Sequence, residues 1–514
     1  MSEQLALLPG YLTAHLQLTL VALLIGAGIS IPLGIAVTRR RGLEGPILGA
    51  AAVIQTVPSL ALLAIMVPAL AALAGVVSRW GVELSSIGYL PAIIALSLYS
   101  LLPILRNTVA GITGVDDALI EAAKGVGMTP AQSLRRVELP LAMPVIVAGL
   151  RTATVWVVGT ATLSTPVGAT SLGNFIFSGL QTRNEAAILM GCVAAAGLAI
   201  GLDQLIRAVE TGLRERRPIR VWIAGAVVAS LFAYAGGSWL VARSDETPVV
   251  SIGSKTFTEQ YILAAVMGQW IEERTDVRAR EIQSLGTTVL FDALVAGDVD
   301  VYVDYSGTVW AEHMGRTTLP GRAEVLRGVT EWLEGEHGLR VVTGLGFQNA
   351  YALGMRRDQA ERLGIRTISD LARHAPDLEI AGDYVFFERA EWEAIESAYG
   401  LAFDAERSMD PTLMYDAVEA AQVDVISAYT TDGRIAAFDL VLLEDDRGAI
   451  PPYDAIVVTS ARLARAAPEV NDALAELGGL IDETRMQRMN FAVDDAGRSP
   501  GDVAAEFIAT VPRD

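Results

Sequence analysis

Long apolar runs fill the first half of the chain, whereas the second half alternates short apolar runs with polar ones. Runs of about 20 apolar residues are long enough to cross a bilayer as helices. Six such runs lie near residues 13–37, 48–74, 88–110, 142–164, 186–207 and 220–241. The first run is too long for a signal peptide and has no basic lead-in, so we expect a membrane span there. The pattern predicts an all-α polytopic transmembrane domain.

Beyond residue 248, strand-like runs alternate with helical ones, a pattern that predicts α/β lobes. The expected strands lie near residues 249–253, 279–284, 299–302, 340–343, 350–355, 379–381, 423–428, 440–443 and 455–459. A polar tether, residues 243–248, precedes them. The expected domains are 1–219 as the transmembrane domain, 220–248 as the sixth span with the tether, and 249–514 as an extracytoplasmic domain.

The sign of the charge differs between the two halves. Residues 1–245 carry 16 Lys and Arg against 12 Asp and Glu, and the remaining residues carry 23 against 47. Such an acidic half argues against a nucleic-acid partner, which needs a basic surface. Cys192 is the only cysteine, which excludes disulfides and cysteine-based metal sites within the chain. Lys and Arg collect in the cytoplasmic loops of membrane proteins.

That rule predicts which loops lie inside. Arg39–Arg41 follow the first span, and Arg106, Lys124, Arg135 and Arg136 flank the loop after the third. A further five arginines, at 207, 214, 216, 217 and 220, lie between the last two spans, whereas the opposite loops hold only Arg79 and Arg183. We therefore expect the 121–140 loop to be cytoplasmic and the C-terminal domain to be extracytoplasmic.

Polar residues inside spans commonly form hydrogen bonds between helices. We interpret His15, Gln17 and Gln55 in this way, rather than as solute contacts. We expect Asp203 to pair with a nearby arginine.

The loop at 121–140 reads as helix, bend, helix. Gly127 can take backbone angles that other residues avoid. Thr129, Pro130 and Gln132 form a helix start, with a Thr cap, Pro in the first turn and Gln closing a capping box. Pro140 is expected to end that helix, because the residue before Pro is pushed out of the α region. The loop resembles the EAA loop of ABC-importer permeases, on Glu121, Ala122, Ala123, Gly127, Leu139 and Pro140. The resemblance implies that these residues dock an ATPase.

Other stretches resemble the glycine betaine/carnitine/choline uptake family. In the first half these are residues 15–18, 54–61, 102–108 and 168–177. In the second half they are residues 253–260, 286–288, 300–308, 349–353, 429–435 and 451–454. The resemblance implies a type I ABC importer-like membrane domain fused to a type II periplasmic-binding-protein-like domain. Its lobes would be 249–346 with 452–514, and 348–446. Two departures, at Gly286–Thr288 and at Tyr384–Glu391, fall near the expected cleft.

Candidate ligand residues follow from this resemblance and from the chemistry of a quaternary ammonium, which aromatic faces hold by cation–π attraction. The candidates are Tyr305, Tyr351, Tyr429, Tyr453, Ser254, Thr256, Thr287, Thr288, Arg389 and Asp432. Arg389 could pair with a carboxylate of the ligand, and Ser254 or Thr256 could hydrogen-bond it. The alternative for each tyrosine is a core residue with a satisfied hydroxyl.

The sequence contains no Walker motif, no nucleophile–base arrangement and no metal-ligand cluster, and we expect His313, His337 and His374 at the surface. We therefore predict a non-enzymatic permease and solute receptor of an ATP-driven importer in the cell membrane. Its solutes would be glycine betaine, choline, carnitine or proline betaine. The expected partners are a separate ABC ATPase that binds ATP and Mg²⁺, a second copy of this chain, and membrane lipid; no cofactor is expected in the chain. Alternatives are import of ergothioneine or a polar amino acid, or a solute sensor that transports nothing.

Overall fold

The computed structural model describes residues 2–77, 80, 84–182, 184–215, 217–243, 249–316, 320–383, 386–409 and 411–512. Three groups of residues named above lie outside this range: the tether residues 244–248, the arginines at 79, 183 and 216, and the pair Tyr384 and Val385. The chain divides into two compact units. One comprises 1–180, 184–247 and 283–292, and the other 181–183, 248–282 and 293–514.

The first unit is helical. Its helices are α1 (Ser2–Arg39), α2 (Glu44–Thr56), α3 (Ser59–Val77), α4 (Tyr89–Thr113), α5 (Asp117–Gly125), α6 (Pro130–Ser133), α7 (Leu139–Ala161), α8 (Gly173–Gln181), α9 (Glu185–Arg214) and α10 (Pro218–Arg243). Short 3₁₀ turns lie at Arg41–Leu43 and Thr162–Val167, and a π turn at Leu134–Glu138. Five helical stretches in the described residues are long and apolar enough to cross a membrane.

The predicted span at 48–74 contains a sharp bend. Helices α2 and α3 meet there at an angle of 99°, so this run is either one broken span or a re-entrant segment. The cause is Pro58, because the residue before a proline is driven toward extended angles. Val57 has φ −67° and ψ 129°, outside the helical region. The described part of the chain thus has five spans, or six if the bent pair counts as one.

Polar side chains join the helices of this unit. Nε2 of His15 lies 3.1 Å from the carbonyl oxygen of Val158, and Gln17 donates to the carbonyl of Ala235. Asp203 pairs with Arg151 at 2.8 Å. These three predictions are confirmed. Gln55 is half-buried on α2, and its role stays a prediction.

The 121–140 loop contains the predicted bend and helix start. Asp116 caps α5, Gly127 has φ +80°, and Thr129 and Gln132 form a complete capping box at α6. The predicted helix end at Pro140 is wrong. A π turn at Leu134–Glu138 leads directly into α7, so the helix runs on into the membrane. Pro140 has no backbone N–H to donate, and the wider π turn just before it accommodates the missing hydrogen bond without ending the helix.

The second unit contains two five-stranded sheets. The strands are β1 (Val249–Gly253), β2 (Arg278–Ile282), β3 (Val301–Tyr305), β4 (Arg340–Gln348), β5 (Tyr351–Arg356), β6 (Glu379–Gly382), β7 (Ala405–Ser408), β8 (Val425–Tyr429), β9 (Leu440–Leu442) and β10 (Asp454–Thr459). The sheet orders are β2-β1-β3-β10-β4 and β7-β6-β8-β5-β9. In each sheet, four strands run in one direction, and the fifth, β10 or β5, runs the opposite way and pairs antiparallel with both of its neighbours. The chain therefore crosses between the sheets twice, after β4 and after β9.

Helices cover these sheets. They are α11 (Thr258–Arg274), α12 (Thr287–Ala296), α13 (Ser306–Thr308), α14 (Arg322–His337), α15 (Arg357–Leu363), α16 (Ile368–Leu371), α17 (Ala390–Tyr399), α18 (Pro411–Glu419), α19 (Arg434–Ala437), α20 (Ala461–Ala466), α21 (Pro468–Ala475), α22 (Glu483–Asp494) and α23 (Pro500–Thr510). Short turns lie at Val309–His313, Ala375–Asp377 and Phe386–Glu388. The first sheet and α11 share one apolar core, and the second sheet has cores on both faces. Alternating α and β elements around two sheets confirm the predicted α/β class.

Candidate functional site

The strand register brings the four candidate tyrosines to strand ends near the two chain crossings. Tyr351 and Tyr429 are direct partners across β5 and β8. On the first sheet, Tyr305 pairs with Ala455, so Tyr453 comes two residues before that partner on the strand that enters from the second crossing. Side chains i and i+2 share one face of a strand. The sheets therefore deliver one tyrosine pair each to the crossing region.

Tyr351 and Tyr429 are in direct contact. Their ring centroids are 4.7 Å apart, and the Tyr429 hydroxyl donates to that of Tyr351 at 2.9 Å. Phe386 also packs against Tyr351, with ring centroids 5.6 Å apart. Tyr351 is buried, whereas 39% of Tyr429 is exposed. An exposed ring braced by buried rings can offer a face to a ligand at little entropic cost.

Arg389 lies over this pair. Its guanidinium carbon is 5.2 Å from the Tyr351 ring centroid. It pairs bidentately with Glu391, at 3.0 and 3.1 Å, and reaches Glu312 of the other sheet's half at 3.5 Å. Burial opposes the charge on Glu391, but hydrogen bonds from Arg389 and Tyr453 outweigh it and lower its pKa. The cation thus sits between two carboxylates.

Tyr453 extends the cluster toward the first sheet. It is buried, and its hydroxyl donates to Glu391. Burial, together with the charge of Glu391, raises the pKa of Tyr453 above its ordinary value. Its ring packs over Gly307, whose missing side chain leaves the room. We call Tyr351, Tyr429, Tyr453, Arg389 and Glu391 the cleft cluster.

Tyr305 belongs to a separate buried network. Its hydroxyl donates to Glu259 at 2.5 Å and accepts from Gln260 at 3.1 Å. Phe257 stacks on its ring at 6.2 Å, and the Lys255 ammonium lies 5.3 Å from its centroid. The Tyr305 ring therefore already has neighbours, and its hydroxyl is occupied.

A buried ion pair lies next to the Tyr305 ring. Lys255 and Asp304 pair with both side chains almost fully buried, and Tyr302 donates to the same carboxylate. Nε2 of His313 lies 3.9 Å from Asp304, and only 6% of the His313 side chain is exposed. The expectation that His313 is a surface residue is wrong: the π turn at Val309–His313 carries it inward.

The remaining candidates lie in different surroundings. The hydroxyl of Ser254 is buried, and within the described residues it has no hydrogen-bond partner. Thr256 is half-buried in the following turn. Thr287 and Thr288 begin α12, in the segment that groups with the first unit. Both carboxylate oxygens of Asp432 accept from Arg434, so this aspartate already has a cation partner.

The arrangement suits a small zwitterion. Aromatic faces attract a cation, and an arginine binds a carboxylate. The structure adds Glu391, Glu312, Glu259 and Asn349, which motif comparison did not select. Only burial could have suggested Glu391 and Glu259, because acidic side chains are rarely buried without a partner; Glu312 is exposed. Among the described residues, no group of His, Cys, Asp and Glu is arranged to hold a metal ion.

Two family models match the chain. The one described as the substrate binding domain of an ABC-type glycine betaine transport system covers residues 248–510. This chain belongs to that family. The second, described as a binding-protein-dependent transport system inner membrane component, covers residues 28–215. In this glycine betaine family chain, permease and binding domain are thus parts of one polypeptide, as predicted.

Similar proteins include both fused and separate components. The ergothioneine transport permease/ergothioneine binding protein EgtU of Helicobacter pylori (strain G27) is 31% identical over 469 residues, covering 88% of this chain and 81% of that protein. The choline transport system permease protein OpuBB of Bacillus subtilis (strain 168) is 43% identical over 199 residues, covering 39% and 85%. The carnitine transport binding protein OpuCC of Listeria monocytogenes serotype 1/2a (strain 10403S) is 30% identical over 263 residues, covering 50% and 85%.

These matches confirm the family predicted from the sequence motifs, the helical membrane part and the α/β binding part. The chain is a membrane-embedded transport component of the ABC class. Permeases of this class work with an ATPase partner and a small solute.

Proposed function

We propose that this chain imports zwitterionic quaternary-ammonium solutes, with the cleft cluster as the receptor site. The observation that carries the proposal is Arg389 lying over the ring of Tyr351, next to the exposed ring of Tyr429. Rings of this kind hold a cation that cannot donate hydrogen bonds. The guanidinium supplies the matching group for a carboxylate.

The position of Arg389 favours betaines over choline. A ligand cation at these rings would lie close to a second, protein-borne cation, which is unfavourable unless an anion separates them. A betaine brings its own carboxylate, whereas choline does not. Glycine betaine, carnitine and proline betaine therefore fit better than choline.

Ergothioneine is the second candidate. It is a trimethylammonium carboxylate too, and the H. pylori relative, named for its transport, shares the fused architecture over 88% of this chain. The departure at Gly286–Thr288 also allows a ligand different from the smaller betaines. Polar amino acids remain the third class.

Calorimetry on the full chain in lipid nanodiscs tests the proposal, with glycine betaine, proline betaine, carnitine, choline, ergothioneine and several amino acids. We expect Tyr429→Ala to weaken betaine binding roughly 2- to 30-fold, since one ring is worth on the order of 0.5–2 kcal/mol. Tyr429→Phe keeps the ring and is the matched control. Arg389→Gln should weaken the binding of carboxylate-bearing solutes and strengthen that of choline, because it removes the repelling cation. Tight binding of an amino acid, with no response to any trimethylammonium compound, would refute the proposal.

We further propose the assembly and the sidedness. Two copies of the chain would pair with two ATPase subunits that bind ATP and Mg²⁺, with Glu121–Ala123, Gly127, Leu139 and Pro140 at the docking surface. The binding unit would face outward, and its attachment to the permease would raise the receptor's local concentration at the pore. The basic residues around the 121–140 loop support this orientation.

Thiol labelling of intact cells tests the orientation. Cys192 is first replaced by Ala; then Ala131→Cys and Glu334→Cys are compared, because both residues are exposed within their own unit. Ser133 is unsuitable because it is buried against Glu138. We expect an impermeant maleimide to label position 334 and not position 131. The reverse pattern would overturn the orientation.

A further inference from the structure

Glu259 accepts hydrogen bonds from four separate parts of the binding unit. The donors are the Tyr305 hydroxyl at 2.5 Å, Asn349 Nδ2 at 3.0 Å, Asn490 Nδ2 at 3.2 Å and the Thr431 hydroxyl. They come from β3, the crossing after β4, α22 and the turn after β8. Only 3% of Glu259 is exposed.

The geometry favours an ionised carboxylate. The amides of Asn349 and Asn490 can only donate to it, and the Tyr305 hydroxyl, which already accepts from Gln260, donates as well; an ionised carboxylate accepts about four hydrogen bonds. Burial, the largest effect, raises the pKa of Glu259; the four hydrogen bonds offset only part of this, so the pKa lies above its ordinary value. In the part of the chain that the structure describes, no Arg, Lys or His forms an ion pair with it.

The neighbouring charges do not cancel it. Lys255 is matched by Asp304. Arg389 is already shared by two carboxylates, Glu391 and Glu312. Glu259 therefore adds a further negative charge to a region in which anions outnumber cations.

We propose that the buried charge of Glu259 is a specificity determinant that makes the cleft cluster prefer a cationic headgroup. The inference rests on the proposed function and deepens it, since it names the residue that separates a cation from a neutral group of equal shape. Glu259 need not touch the solute. It acts through space and through Asn349, which lies two residues before Tyr351.

The expected magnitude follows from the distance. Asn349 bonds Glu259 at 3.0 Å, its side chain adds about 3 Å, two extended residues span about 7 Å, and the Tyr351 side chain adds about 6 Å, so a cation at the Tyr351 ring lies within roughly 20 Å of the carboxylate. At that distance, with an effective dielectric constant of about 20, removal of the charge lowers affinity by at least about fourfold.

The test compares two probes on the full chain in nanodiscs. Glycine betaine and 3,3-dimethylbutanoate have the same shape and the same carboxylate, but only the first has a cationic headgroup. We expect Glu259→Gln to lower the ratio of their affinities at least about fourfold. The exposed Glu334→Gln controls for net charge and should leave the ratio unchanged. If Glu259 only holds Tyr305 in place, both probes weaken equally and the ratio stays constant, which overturns the proposal.

A second pair of variants tests the proposal even if Glu259→Gln alone does not fold. Glu259→Gln with Asn349→Asp, and Glu259→Gln with Asn490→Asp, keep one carboxylate and one new amide donor in the network. Both keep the charge in the network, the first two residues before Tyr351 and the second beside Thr431, two residues after Tyr429. An affinity ratio close to that of the wild type in either double variant supports the proposal, and a ratio as low as that expected for Glu259→Gln in both refutes it. Failure of the wild-type chain to bind glycine betaine or any other trimethylammonium solute would instead refute the proposed function.

Discussion

Gly307→Ala offers a direct test of how the cleft cluster is packed. A Cβ at this position would lie 2.6 and 2.7 Å from Cε1 and Cδ1 of Tyr453, and 2.8 Å from the carbonyl oxygen of Pro452. Carbon atoms pack at about 3.5–4.0 Å, so the ring must move by close to an ångström. Overpacking of this kind costs about 1–3 kcal/mol. Because the Tyr453 hydroxyl donates to Glu391, the shift would also disturb the ion pair with Arg389.

Thermal unfolding of the purified chain, with and without solute, measures both effects. A loss of 1–3 kcal/mol lowers the melting temperature of a domain of this size by roughly 2–10 °C. Betaine affinity should fall as well, because the cluster loses its geometry. Gly335→Ala is the matched control: it lies in α14, and a Cβ there has no neighbour within 4 Å. Ala in a helix interior is favoured over Gly by about 1 kcal/mol, so this variant should melt slightly higher. Equal behaviour of the two variants would refute the packing argument.

Three further predictions concern coupling and pH. Arg39 pairs with the buried Glu138 at 2.5 Å, so Arg39→Gln should reduce solute-stimulated ATPase activity in the reconstituted complex while solute affinity stays constant; unchanged activity would contradict a mechanical role for the pair. Gly127→Ala forces an L-residue to φ +80°, which costs roughly 1–2 kcal/mol, and should therefore uncouple transport from ATP hydrolysis. Gly125→Ala in α5 is the control and should transport normally; equal transport by both variants would count against a role for the bend. The lowered pKa of Glu391 means that the ionised carboxylate stabilises the fold above pH about 4.5, and that this contribution is lost as the pH falls through the folded-state pKa. The melting temperature of Glu391→Gln should therefore depend less on pH across that acidic range than that of the wild type.

Local sequence chemistry made the structure of the 121–140 loop partly predictable. The capping box at Thr129 and the bend at Gly127 depend on residues within four positions of each other, and both were visible in the sequence. The fate of the helix at Pro140 was not. Whether proline ends a helix or is absorbed by a wider turn depends on what packs around it, here the contact of Glu138 with Arg39 at the end of α1.

The binding unit shows the same division. The strand positions followed from alternating patterns, but β7 (Ala405–Ser408) was missed, because this edge strand is mostly exposed and has no apolar alternation. The tyrosines were found through motifs. The partners of Glu259 come from segments up to 231 residues away, and no sequence spacing reveals such a meeting. The positions of most strands could therefore be predicted from the sequence, whereas the hydrogen bonds between distant polar residues could not.

The π turn at Leu134–Glu138 also sets the phase of the helix that follows it. A turn closed from residue i to i−5 holds one residue more than an α turn, so every side chain of α7 is rotated by about 100° relative to an uninterrupted helix. Deletion of one residue within 134–138 would restore regular winding and swing the whole membrane helix to a different face. Coupling between loop and pore is then a matter of angular register as much as of contact.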